Sequence, residues 1–232
     1  MLRALLFDFN GVLVDDEPLH FRLFRGVLAD EGVELTEDAY WSRYLGFDDR
    51  GCLAAALADA GREAPPALVA RLIARKAARY QEEIRRAGYP FFAGAVELVR
   101  SAAESGLALS VVSGALRDEV EGALREAGLL SAIRTIVSAE DVDRGKPDPE
   151  GYRRALEALN VDPPVAGRLI HPHEAVAIED SPAGLEAAAG AGLRAVGVAQ
   201  SYPAGALAAA DWVVGSVAEL SVERLVERFA GD

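Results

Sequence analysis

The stretch that decides the fold is LLFDFNGVLVDD, residues 5–16. It supports two incompatible readings. An Asn-Gly pair between apolar runs is a strong signal for a tight β-hairpin. The same residues also read as a buried strand that ends at Asp8 and delivers its carboxylate to a loop. The hairpin needs a second strand, and none follows. Past Asp16 the apolar residues fall at Leu19, Leu23, Phe24, Val27 and Leu28, which is helical spacing closed by a glycine. The buried-strand reading is therefore adopted, with a strand expected over residues 2–8.

Helical patterning continues through DDRGCLAAALADAG and PPALVARLIARKAARYQEEIRRAG. The last of these opens on proline and closes at Gly88, as helices favour. Residues 16–88 are thus expected to form an all-helical block. From Phe91 the rhythm alternates. Helices are expected over 94–105, 116–127, 149–159, 182–191 and 217–229. They are interleaved with strands in LALSVVS, IRTIVSA, AVAIED, RAVGVA and DWVVG. Continuously apolar strands between helices imply a parallel sheet covered on both faces. The expected architecture is α/β: a Rossmann-like parallel sheet core, residues 1–15 and 89–232, with an inserted all-helical domain, residues 16–88.

Composition narrows the function. Hydrophobic residues make up 51% of the 232-residue chain, enough for a sizeable core. A net charge of −13 argues against nucleic acid and anionic membranes as partners. No apolar run approaches the roughly 18 residues of a membrane helix, and residues 1–10 do not read as a signal peptide. A cytoplasmic location is expected. The single Cys52 excludes an internal disulfide framework and reads as helix packing. His171 and His173 flank Pro172 in an apparent loop with no further ligand cluster in view.

In a parallel sheet of this kind, ligands bind at the carboxyl ends of the strands. The residues at those positions form a coherent set. Asp8, Asn10 and Gly11 follow the first strand. Ser113 and Gly114 follow SVV, Lys146 lies in RGKPDP, and Glu179, Asp180 and Ser181 follow VAI. Each piece alone has a bland reading as a turn or a helix cap. Their common placement at strand exits does not. Lys146 is also one of only two lysines, with Lys76, beside 22 arginines.

Four motifs, FDFNGVLVD, VVSG, RGKPDP and AIEDSPAGLEAAAGAG, resemble those of the haloacid dehalogenase-like superfamily. The similarity extends nearly end to end, and lies with its phosphatases and phosphomutases that carry a helical cap after the first strand. The resemblance implies a phosphatase of a small phosphorylated metabolite, working through an aspartyl-phosphate on Asp8. It implies Mg2+ held by Asp8, the Asn10 backbone carbonyl, Asp180 and Glu179. It implies phosphate contacts from Gly11, Ser113, Gly114 and Lys146, with Lys146 also keeping Asp8 ionised. His20, Arg22 and Arg50 are the candidate cap contacts to substrate. Sugar-phosphate mutases of this family carry a lysine where this chain has Leu45, which weakens a mutase reading.

One residue departs from the pattern. The family places an aspartate two residues after the nucleophile as acid and base, and here it is Asn10. An amide retains the backbone carbonyl but transfers no proton, a loss of about 10²- to 10⁴-fold. Three readings follow. The enzyme is slow or suited to leaving groups that need no proton. Alternatively a neighbour such as Asp15, Asp16, Glu17 or His20 substitutes. Alternatively the protein binds phosphate compounds without turning them over.

Overall fold

The computed structural model describes residues 1–161 and 167–230. The chain divides into two compact units, Met1–Asp15 with Pro90–Asp232, and Asp16–Tyr89.

The first unit is a six-stranded parallel sheet in the order β3-β2-β1-β4-β5-β6. The strands are β1 (Ala4–Phe7), β2 (Ala108–Val112), β3 (Thr135–Val137), β4 (Ala175–Glu179), β5 (Arg194–Val198) and β6 (Trp212–Val214). β1 pairs with β2 on one side, Phe7 opposite Val111, and with β4 on the other, Phe7 opposite Ile178. β1, β2 and β4 are buried along their whole length, which is why they read as unbroken apolar runs. The strand order reverses between β1 and β4. That reversal opens a crevice at their carboxyl ends.

The helices of this unit are α5 (Ala95–Glu104), α6 (Arg117–Glu126), α7 (Glu150–Val161), α8 (Pro182–Gly190) and α9 (Val222–Arg228). The helix expected over 217–229 is in fact two pieces. A short turn at Val217–Glu219 precedes α9, because Ser221 breaks the run and accepts the Arg224 amide as an N-cap. On one face of the sheet, Tyr152, Ala155 and Leu159 of α7 and Leu185 and Ala188 of α8 pack with Leu6, Val112 and Ala177.

The second unit holds α1 (Glu17–Ala29), α2 (Glu37–Ala39) leading into a π-helical turn at Tyr40–Tyr44, α3 (Asp49–Asp59) and α4 (Pro66–Ala87). Phe24, Val27, Leu28, Leu53, Leu57 and Leu72 form its own apolar core. Cys52 is a buried free thiol within that core. Lys76 is fully buried, 2.5 Å from Asp49 and over the Phe24 ring. Tyr89 belongs to this unit, its ring 6.4 Å from that of Tyr80.

No described helix is long and apolar enough to cross a membrane.

Candidate active site

The Asn-Gly stretch forms no hairpin. After β1 the backbone curls into a compact loop in which the Leu13 and Val14 amides both donate to the Phe9 carbonyl, at 2.8 and 3.1 Å. Gly11 has φ +75°, and its amide donates to the Val14 carbonyl at 2.9 Å. Its own carbonyl accepts from Gln200 Nε2 at 2.7 Å. The family resemblance implies a phosphate contact from Gly11. In the structure its amide is already bonded, and the need for glycine lies elsewhere. A Cβ at this position would stand 1.9 Å from Asp180 Oδ2.

Three carboxylates meet at the crevice. Asp8 leaves β1 with its amide still bonded to Ile178 at 2.9 Å. Glu179 ends β4 and Asp180 follows it. Ligand oxygens from Asp8, Glu179 and Asp180 lie within 4.8 Å of one another. Lys146 joins them, its Nζ 2.9 Å from Asp8 Oδ1 and 2.6 Å from Glu179 Oε1. Asp8 Oδ1 also accepts the Phe9 amide at 2.7 Å.

This crowding perturbs Asp8, Asp180 and Lys146. Burial, with the neighbouring Glu179 charge, pushes the Asp8 carboxyl up to about 7 against the opposing pull of Lys146. Burial and the Asp8 and Glu179 charges also raise Asp180 well above the usual carboxylate range, although the Ser201 hydroxyl donates to it. Burial alone would lower the Lys146 pKa, but the two carboxylates outweigh it and hold the ammonium charged.

Glu179 sits differently from the other two acids. It is fully buried, and its oxygens are engaged by protein. Tyr152 donates to Oε1 at 2.6 Å and Ser181 to Oε2 at 3.3 Å. A Cβ on Gly184 would come within 1.9 Å of Oε2, so this glycine keeps the space that Glu179 fills.

The end of β2 also reaches this place. Ser113 Oγ lies 3.5 Å from the Asn10 side-chain oxygen and accepts the Ala115 amide at 3.0 Å. Ser113 and Gly114 do not cap a helix, as the sequence suggested they could. α6 starts only at Arg117, whose amide donates to Glu140. Asp148 accepts the Glu150 amide at the start of α7.

The three cap candidates lie in the helical unit with other partners. His20 is buried, its Nε2 3.2 Å from Asp16 Oδ2 and its ring stacked 5.2 Å from Tyr80. Tyr80 donates to the same Asp16 oxygen at 2.6 Å. Arg22 makes an exposed ion pair with Glu83 at 3.6 Å, and Arg50 is exposed on the first turn of α3. Among the proposed substitutes for Asn10, Asp16 and His20 are thus tied to each other, and Glu17 accepts the Tyr40 hydroxyl. Asp15 is exposed.

Sequence reading missed Tyr152, Gln200 and Ser201. Gln200 and Ser201 follow β5, so the rule that residues after strands meet the site would have found them. Tyr152 lies on the apolar face of α7, where an aromatic residue reads as core.

Comparison with known proteins gives the family. The chain belongs to the haloacid dehalogenase-like hydrolases, whose family model matches residues 5–198. It is 31% identical to the validoxylamine A 7'-phosphate phosphatase of Streptomyces hygroscopicus subsp. limoneus, over 95% of this chain and 96% of that one. It is 32% identical to the phosphorylated carbohydrates phosphatase of Thermotoga maritima, over 86% of this chain and 87% of that protein. Among solved structures, a mutant CbbY from Rhodobacter sphaeroides in complex with xylulose-(1,5)bisphosphate superposes with a TM-score of 0.82 at 30% identity. That match covers 95% of this chain and 96% of the other.

Proposed function

We propose that this protein is a magnesium-dependent phosphatase of a small phosphorylated metabolite, in which Asp8 takes the phosphoryl group. One observation carries the reading: Lys146 lies 2.9 Å from Asp8 beside buried Glu179 and Asp180, at the carboxyl ends of β1 and β4. Burial in the crevice, with the neighbouring Glu179 charge, raises both the Asp8 and the Asp180 carboxyls. An all-oxygen set of this kind suits a hard divalent cation. Asp8, Asp180 and the Asn10 backbone carbonyl would hold it, with Glu179 turned toward Lys146 and Tyr152. Bound magnesium supplies positive charge to phosphate oxygens and to the ionised carboxylates.

The chain's own residues do the rest. Lys146 holds the Asp8 carboxylate oriented and ionised as the anionic substrate approaches. Its compact ammonium fits a position shared by two carboxylates, where a planar guanidinium would not. The Ser113 hydroxyl, beside Asn10, is placed to donate to a phosphate oxygen. An Asp8 oxygen bonds to phosphorus as the bond to the leaving oxygen breaks. Asn10 donates no proton to that oxygen, which leaves with its electron pair and takes a proton from solvent. Water then attacks phosphorus, the bond to the Asp8 oxygen breaks and regenerates the carboxylate, and the water's proton passes to solvent, since residue 10 carries no carboxylate to take it. Substrates with good leaving groups, such as aryl or acyl phosphates, are favoured for this reason. The relatives that act on validoxylamine A 7'-phosphate and on phosphorylated carbohydrates point to phosphorylated carbohydrates as the natural class. Because both half-reactions lose acid–base help, turnover is slow.

Rapid-quench kinetics with an aryl phosphate tests this. Wild-type protein with magnesium is expected to show slow turnover, Asn10→Asp faster turnover, and Asp8→Asn none. Absence of turnover in wild type and Asn10→Asp alike would overturn the phosphatase reading. Tight phosphate binding by calorimetry in that case would support a binding protein.

A further inference from the structure

We infer that Tyr152 is a positioning residue that fixes Lys146 against Asp8 by orienting Glu179. Its hydroxyl is the functional part of an otherwise apolar side chain. The ring is fully buried among Ala155, Leu185 and Ala188 in the core beneath the sheet. Any other buried tyrosine there would only need some partner for its hydroxyl. This one donates at 2.6 Å to Glu179 Oε1, the oxygen that lies 2.6 Å from Lys146 Nζ. Lys146 Nζ also stands 5.5 Å from the centre of the Tyr152 ring, within reach of a cation–π attraction. One side chain thus touches both members of the pair that flanks Asp8.

The surroundings are built around that arrangement. Ser181 holds the other Glu179 oxygen, and Gly184 leaves the space that the carboxylate occupies. Tyr152 lies in the first turn of α7, where long side chains lean back toward the helix N-terminus. That lean brings the hydroxyl toward the loop that carries Lys146. The helix start therefore sets both Lys146 and the group that restrains its acid partner. A phenylalanine would keep the packing and the ring over Lys146 and lose only the bond that holds Glu179.

The kinetic half of this inference rests on the phosphatase reading, and the structural half does not. The chain has two lysines, so 15N-lysine labelling yields two ammonium signals, assigned by the one that survives in Lys76→Arg. In Tyr152→Phe the Lys146 signal is expected to shift and broaden through faster hydrogen exchange, with the melting temperature close to that of wild type. Its kcat on an aryl phosphate is expected to fall about tenfold, the effect of losing one hydrogen bond to a charged group, with little change in KM. An unchanged Lys146 signal in folded Tyr152→Phe overturns the inference, and so does an altered signal with unchanged kcat. Should Tyr152→Phe fail to fold, Tyr152 hydroxyl exchange in wild-type protein decides. A slowly exchanging hydroxyl proton with a cross-relaxation to the Lys146 ammonium supports the contact, and its absence overturns it. If wild-type and Asn10→Asp protein alike show no turnover, the phosphatase reading fails while the lysine signals still decide the role of Tyr152.

Discussion

Gly11 and Asp180 compete for one small volume: a methyl carbon on Gly11 would lie 1.9 Å from Asp180 Oδ2. The glycine of the Asn-Gly pair thus has two separate reasons to be a glycine. Its φ of +75° is costly for any residue with a Cβ, and the space such a Cβ needs belongs to a site carboxylate. Gly11→Ala is expected to destabilise the protein by about 2 kcal/mol or more, combining left-handed strain with overpacking. Urea unfolding measures this. A change below about 0.5 kcal/mol, the size of an ordinary surface substitution, would contradict the crowding.

Magnesium binding is expected to depend on pH with a definite sign. Asp8 is raised to about 7, chiefly by burial, and an oxygen ligand must be ionised to bind a cation. Affinity should therefore strengthen as pH rises toward and through about 7, with the raised Asp180 carboxyl adding to the dependence in the same direction. Binding below that pH should release protons. Calorimetry in buffers of different ionisation enthalpy reads both quantities. Asp180→Asn should weaken binding across the range, and an affinity independent of pH would contradict the scheme.

Glu174 offers a stability test away from the site. Burial opposes its ionisation, yet the His171 amide and the Arg168 and Arg3 guanidiniums outweigh burial and hold it at about 2. A carboxyl depressed from the usual 4.5 contributes stability that is present above about 4.5 and lost as pH falls toward 2. Arg168 is exposed, so solvent screens part of the effect. The contribution is expected to be on the order of 2 kcal/mol at neutral pH. Glu174→Gln should show that deficit in urea at pH 7, with the difference shrinking below about 4.5 and closing only as pH falls to about 2 and below.

Asn10→Asp is expected to raise turnover by about 10²- to 10⁴-fold, the usual worth of a general acid–base group. Steady-state kinetics checks it. No gain would point to another group performing the proton transfers, with exposed Asp15 the first to substitute.

The same residue carries a chemical prediction. Deamidation at Asn-Gly requires the glycine nitrogen to attack the asparagine side chain. Here the Gly11 amide donates to Val14, and Gln200 grips its carbonyl. Native protein is expected to keep Asn10 intact far longer than protein held in urea, as peptide mass mapping would show. Equal rates in both would mean that the loop does not restrain the pair.

Much of this molecule was legible in one dimension because the physics is local. Unbroken apolar runs separated by helical periodicity require a parallel sheet covered on both faces, and chain order alone sends Asp8, Ser113 and Asp180 to strand ends and Lys146 to the loop beyond one. Local rules also misled. Asn-Gly is a hairpin signal, and Ser-Gly before a helical stretch is a capping signal, but burial of β1 between β2 and β4 overrides the first and a later start of α6 the second. What only the tertiary structure decided is which atoms share a partner. Glu179 and Asp180 are adjacent letters, yet successive residues at a strand end face different ways. One meets Tyr152 and Lys146, the other Ser201 and the space beside Gly11. His20 and Arg22, read as substrate contacts, prove to have partners of their own within the helical unit. Periodicity records which face a residue occupies, while a hydrogen bond or a clash at 2 to 3 Å depends on segments distant in sequence, and only packing brings those together.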